Sequence, residues 1–295
     1  MLDAALEEVG WQDALAADAR AAVSTLFELQ GEAGAASSAL DHVIMDGLGL
    51  ETGPKAGVVL PPLDRWSRPG ELEGGRLAVR GLGTAALPSR ETAIVAARSG
   101  DKHVVVALAT TDLTLRPVRG LDPWLGLVEV SGEVSCTGPE PRPVEWAPAV
   151  ARGQLALGHE LVGASRKMLA LAREHALQRI QFGRTISTFQ AIRHRLADTL
   201  VAIETADAVQ RAAWEDGSAQ TAAMAKALAG RGARTAVRHC QQVLAGIGFT
   251  TEHTLHRYIR RVLVLDQLLG SARALTHELG AELLRTKKLP PLLPL

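Results

Sequence analysis

The residues best suited to do chemistry lie in two short segments of the second half of the chain. In RIQFGRTISTFQ, residues 179–190, Arg179 stands at one helix end and Gln190 in the next helix. Between them lie Gln181 and a tight turn at Phe182–Gly183. A guanidinium forks onto phosphate oxygens and an aromatic ring stacks on a planar group, so this set suits a phosphate-bearing planar ligand. A helix-hairpin turn with a solvated arginine fits the same residues. In QQVLAGIGFTTEHTLHRYIRR, residues 241–261, Gln242 precedes Gly246 and Gly248, where backbone can approach a ligand closely. A plain helix-to-helix turn is the alternative there.

Other constellations are weaker. His253 and His256 share a helical face but have no evident third ligand, and His159–Glu160 lacks the second histidine of a zinc motif because position 163 is Gly. No metal is therefore expected. Cys240, beside the glycine turn, reads as a small buried hydrophobe. Arg257, Arg260 and Arg261 form a basic patch suited to a phosphate, an acidic partner face or solvent.

The composition narrows the classes. Lys+Arg 32 balances Asp+Glu 32, which argues against a polyanion-binding surface and against docking on an anionic membrane. No apolar run is long enough to span a bilayer, and the acidic N-terminal segment lacks the basic start of a signal peptide. Two cysteines are too few for a disulfide framework, so a reducing cytoplasm is expected.

The elements that must position these residues fall into three stretches. Residues 1–50 read as helical, with Ala19, Ala22, Val23, Leu26 and Phe27 on one face and a second helix from Ala36 to Met45. Residues 51–147 are rich in Pro and Gly, with β-forming runs at 58–60, 76–79, 92–97, 103–108 and 127–132, and suggest a small barrel or sandwich. The run PEPRP at 139–143 reads as a linker. Residues 148–295 carry four expected helices, at 149–178, 186–216, 219–245 and 255–284. The second has an apolar stripe of Ile186, Phe189, Ile192, Leu196 and Leu200. The tail LPPLLPL cannot be helical and suits docking on a neighbour.

The two segments, in this order and within this layout, resemble the acyl-CoA dehydrogenase family. The carrying motifs are R-x-Q-F-G…F-Q at 179–190 and the Q-x-x-x-G-x-G-F run at 242–249. Leu196-Ala197-Asp198, and Glu252 followed by Arg257 and Arg260, add to them. The match is firm over about 150–275 and looser over 1–147. It implies a truncated N-terminal helical domain (1–50), a small β-barrel middle domain (51–147) and a C-terminal four-helix bundle (148–295). It also implies FAD as cofactor, an acyl-CoA substrate, and a role in steroid or fatty-acid degradation. Carried over residue by residue, Arg179 would contact the pyrophosphate of a partner's FAD. Gln181 and Phe182 would line that site, and Gln242 and the backbone at Gly246 would hold the adenosine and pyrophosphate.

The chain departs from the family where its own reaction would occur. The usual glutamate base falls on Leu269, in Leu268-Leu269-Gly270-Ser271, and the alternative base position falls near Gly153, where ARGQL has no carboxylate. Glu160 and Asp266 are the nearest acids, with Glu160 the candidate displaced base, and Glu252 matches a structural acid. Ala245 replaces the first glycine of the usual pair. GLGTAALPS at 81–89 stands where a flavin-stacking Trp-x-Thr is expected, and PPLDRWSRPGE does not match the flavin-edge loop. The expectation is one base-lacking subunit of a two-plus-two hetero-oligomer, which completes its partner's FAD site. A homodimer with a displaced base and a homologue without flavin chemistry are the alternatives.

Overall fold

The computed structural model describes residues 2–51, 53, 55–136 and 141–288. The chain divides into two units. One is drawn from Met1–Val23, Ala36–Ala156 and Gln267–Ser271, the other from Ser24–Ala35, Leu157–Asp266 and Ala272–Leu295.

The first unit opens with helices α1 (Leu2–Glu8) and α2 (Trp11–Ala17) and the start of α3 (Ala19–Ala33). The Asp18 carboxylate accepts from the Ala21 amide at 2.9 Å, one of the orphan donors at the start of α3. Helix α4 (Ala39–Gly47) is buried from Ala39 through Met45. The strands are β1 (Ala56–Val58), β2 (Gly70–Glu73), β3 (Arg76–Gly83), β4 (Thr92–Ser99), β5 (Lys102–Ala109), β6 (Thr114–Pro117), β7 (Val128–Ser135) and β8 (Arg142–Pro143). They form one mixed eight-stranded sheet in the order β6-β7-β3-β2-β4-β5-β8, with β1 parallel to β4. Leu60 bridges Leu82 on β3, so the segment after β1 spans from β4 to β3. The inward residues alternate along each strand (Leu77 and Val79, Val95 and Ala97, Val104 and Val106) and close over a shared core with Leu87 and Val130.

Each expected β run overlaps or abuts a strand. Strands β2, β6 and β8 were not expected, because GELE and TLRP lack an apolar alternation. Arg142 and Pro143, expected as linker, pair with β5 at the edge of the sheet, where proline's missing N–H costs no ladder bond. Residues 139–140 of that run lie outside the described residues, as does the tail from 289 onward.

The second unit holds the end of α3 and the length of α5 (Trp146–Gln178) from Leu157 on. A minimal hairpin follows, β9 (Ile180–Gln181) and β10 (Arg184–Thr185), and then α6 (Gln190–Asp216), α7 (Ala219–Leu244), α8 (Leu255–Gln267, up to Asp266) and α9 (Ala272–Thr286). Gly217, at φ 71°, ends α6, and Ser218 caps α7 by accepting from the Thr221 amide. Helices α3 and α5 meet backbone to backbone: a Cβ on Gly163 would strike the Glu28 carbonyl, and one on Gly31 the Glu160 carbonyl.

Two expectations are corrected. The single helix over 255–284 is two helices, because Leu269 and Gly270 have φ 54° and 96° and no α-helix passes through successive left-handed residues. The Asp266 carboxylate starts the next helix by accepting from the Ala272 amide. The stripe Ile186–Leu200 is not the buried face of α6. That face is Thr199, Ile203, Ala206, Val209, Gln210 and Ala213, while Leu200 is exposed and Ile186, Phe189, Ile192 and Leu196 are half-buried.

Candidate functional site

Helix α5 ends at Gln178, and the chain reverses within four residues. Phe182 and Gly183 have φ 53° and 75°, the two left-handed positions of a tight hairpin loop whose twist matches its strands. Asn and Gly are the usual occupants. Phe182 pays a backbone penalty there while its side chain is 90 % exposed, so neither local conformation nor core packing accounts for it. Its ring meets Phe189 edge-on at 6.1 Å, and the Arg184 guanidinium lies 4.4 Å over the Phe189 ring.

Helix α7 ends at Leu244, and Ala245 takes φ 51°, ψ −132°, a conformation that glycine adopts freely and alanine does not. The next residue, Gly246, has open space where a Cβ would stand. The turn thus presents backbone with nothing in front of it.

The fold brings these two turns, some sixty residues apart, to one cavity of about 710 Å³ in the second unit. Arg179, Gln181, Phe182, Gln242 and Gly246, the five residues singled out in the sequence, all line it. His175, Ile186, Phe189, Ile192 and Ile247 complete much of the wall and were not anticipated. His175 was detectable, since it stands one helical turn before Arg179 on the same face. Burial, with the charges of His253 and Arg179 behind it, lowers the His175 pKa, so the ring is neutral at pH 7. No carboxylate lines the cavity, and among the described residues the Arg179 guanidinium has no carboxylate partner. A cation facing an apolar and aromatic wall beside unfilled backbone fits a planar ligand carrying a diphosphate. The volume lies within the range of small-molecule sites, about 300–1,000 Å³.

The positions expected to carry a base converge elsewhere, in the first unit. Leu269 is 1 % exposed, and a Cβ on Gly153 would stand 2.5 Å from its Cδ1 and 2.6 Å from Ile44 Cδ1. Gln154 Nε2 donates to the Leu269 carbonyl at 3.0 Å and holds this left-handed residue in place. The two alternative base positions are therefore one spot, filled with hydrocarbon. In the same unit Thr84, within GLGTAALPS, donates to the buried Asp41 carboxylate at 2.9 Å, and Leu87 folds back against Gly83 and Gly57.

The other acids are committed. Glu160 is 2 % exposed and accepts from Gln30 Nε2 at 3.0 Å and from Arg261 at 3.4 Å. Asp266 takes Arg234 as well as the α9 amide. Arg261 therefore leaves the expected basic patch and points inward, also meeting the Ala35 carbonyl. Cys240 is buried, which pushes its thiol up to about 12 and makes it no nucleophile. Among the described residues no cluster suits a metal. His253 accepts from the Leu255 amide, and His159 stands between Glu28 and the Trp214 indole. No described helix is long and apolar enough to cross a membrane.

Residues 148–284 match the family described as acyl-CoA dehydrogenase, C-terminal domain. The acyl-CoA dehydrogenase IpdE2 of Mycobacterium tuberculosis is 32% identical over 250 residues, which cover 77% of this chain and 77% of that protein. The fold is that of the ChsE4-ChsE5 complex from Mycobacterium tuberculosis, at TM-score 0.74 and 20% identity over 92% of this chain and 82% of the other. Butyryl-CoA dehydrogenase from Megasphaera elsdenii superposes at TM-score 0.71 and 19% identity, over 90% of this chain and 81% of the other.

Proposed function

The chain belongs to the acyl-CoA dehydrogenase family, and from that premise we propose that it is the base-lacking subunit of a hetero-oligomeric, FAD-dependent acyl-CoA dehydrogenase. Its part is to complete the FAD site of a different partner chain. The observation that carries this reading is a contrast within the molecule. The cavity at Arg179 and Gly246 is open and free of acids, while the base position at Leu269 is sealed by hydrocarbon over Gly153.

In this assignment Arg179 forks onto the diphosphate, and the backbone at Gly246 gives it N–H donors. Gln242 holds the adenosine, and Gln181 and Phe182 close the wall around it. Phe182 and Phe249, both prominently exposed, are then covered by the partner. When bound, the flavin supplies hydride acceptance for desaturation of the acyl thioester, and the proton at the α-carbon needs a carboxylate. Leu269 supplies none, and Glu160 is held in an interior ion pair, so the base comes from the partner. The substrate is an acyl-CoA. The fold is shared, at TM-score 0.71, with the Tcur3481-Tcur3483 steroid ACAD, and a steroid-derived acyl group is the reading extended to this chain.

Co-expression with a second acyl-CoA dehydrogenase chain from the same genome tests the assignment. The purified complex is expected to hold about one flavin for every two chains and to turn over, and Arg179→Gln is expected to release the flavin without dissociating the chains. A yellow, active enzyme formed by this chain alone would overturn it, and loss of that activity in Glu160→Gln would establish the homodimeric alternative.

A further inference from the structure

The first unit contains a second cleft with the chemistry of an anion site, unrelated to the Arg179 cavity. It lies beside β2 and β3, has a volume of about 410 Å³, and is lined by Arg65, Ser67, Arg68, Glu71 and Arg80.

The loop that carries the first three of these is built in place. Asp64 N donates to the Gln267 carbonyl at 2.8 Å, and the Asp64 carboxylate accepts from the Ser271 amide at 3.0 Å. The Trp66 carbonyl accepts from Trp146 Nε1 at 2.8 Å, and Pro62 and Pro69 stiffen the two ends. Asp64 and Trp66 are thus tied down while Arg65, Ser67 and Arg68 line the cleft. Arg80 is delivered by β3, where its own N–H donates to the Pro69 carbonyl at 2.9 Å.

The charges do not balance locally. Glu71 is paired with Arg98. Arg68 donates to a ring nitrogen of His103, which is no counter-ion. Among the described residues, neither Arg65 nor Arg80 meets a carboxylate. Arg65 and Arg80 line the cleft with no carboxylate among the described residues to take up their charge, and an anion there uses their forked donors. A single carboxylate satisfies one fork. A phosphoryl group, or two in sequence, offers enough oxygens for Arg65, Arg80 and the Ser67 hydroxyl together.

We propose that this cleft binds the phosphoryl groups of a phosphorylated small molecule. Calorimetry on the full chain at low ionic strength, with inorganic pyrophosphate and with coenzyme A as probes, tests it. Wild type is expected to bind pyrophosphate, and Arg65→Gln/Arg80→Gln to lose roughly tenfold or more in affinity at this site while melting as wild type does. Arg65→Lys/Arg80→Lys, which keeps charge but not the fork, should fall between. Arg179→Gln removes binding in the other cavity and leaves this site intact, so the two assignments fail separately. If coenzyme A binds more tightly than pyrophosphate and loses that advantage in Arg65→Gln/Arg80→Gln, the phosphoryl groups come from a coenzyme A molecule. If the two probes bind alike, a free inorganic anion suffices. Wild-type pyrophosphate affinity in Arg65→Gln/Arg80→Gln overturns the proposal, and doubly so if that variant no longer co-purifies with a partner chain, since the arginines are then an interface.

Discussion

Replacing Asp41 by asparagine should stabilise the protein at neutral pH and do nothing near pH 4. Asp41 is 1 % exposed. Its Oδ2 accepts from Thr84 Oγ1, while Oδ1 has no hydrogen-bond partner. Burial pushes its carboxyl up to about 7, against the opposing pull of the Thr84 hydrogen bond, the Arg90 charge and the Val58 amide. The unfolded chain releases this proton near 3.8, so between there and about 7 the unfolded state binds fewer protons than the folded one. Stability must then fall as pH rises through that window, and stay flat beyond it. Three pK units at about 1.36 kcal/mol each set the loss at about 4 kcal/mol by pH 7 and above. The amide of the Asp41→Asn variant has no such proton to release and keeps an oxygen for Thr84. Urea unfolding of wild type and Asp41→Asn at several pH values between 4 and 8 checks this. Hydrogen exchange of the α4 amides assigns the effect to this unit. The gap should open from near zero at pH 4 to a few kcal/mol at pH 8. A gap that does not vary with pH, or a wild type that is the more stable at pH 8, would refute the reasoning.

Gly153→Ala should cost about 1–3 kcal/mol by overpacking against Leu269 and Ile44, and Leu269→Ala about 2–5 kcal/mol by leaving a cavity. Because each change makes room for the other, the pair measured by denaturant unfolding should cost less than the sum by about 1 kcal/mol or more. Ala245→Gly should raise stability by about 1 kcal/mol, since glycine takes φ 51°, ψ −132° without strain, and the unfolding midpoint reads this out. Phe182→Asn should leave stability unchanged or slightly higher by the same midpoint, because asparagine tolerates the left-handed turn. In the complex with the partner chain it should retain less flavin after gel filtration, and full retention would remove Phe182 from the site.

The order of helical, β and helical stretches was legible in the sequence, and so were five of the residues that line the open cavity. Both rest on local signals: periodicity, the hairpin at Phe182–Gly183, and the short spacing from Gln242 to Gly246. That Leu269 and Gly153 offer no carboxylate was equally plain, since a leucine or a glycine abstracts no proton wherever it folds. What only the tertiary structure decided depends on contacts between distant segments. It joined the Arg179 turn to the Gly246 turn and turned the Ile186–Leu200 stripe away from the bundle core. It broke the last helix at Leu269, where a left-handed backbone let that side chain cover Gly153 from more than a hundred residues away. It also paired Glu160 with Arg261, left Asp41 in the interior with one oxygen unbonded, and gathered Arg65, Arg68 and Arg80 around one cleft. Each of these turns on which groups lose their water and which partners they meet, and spacing along the chain carries no record of that.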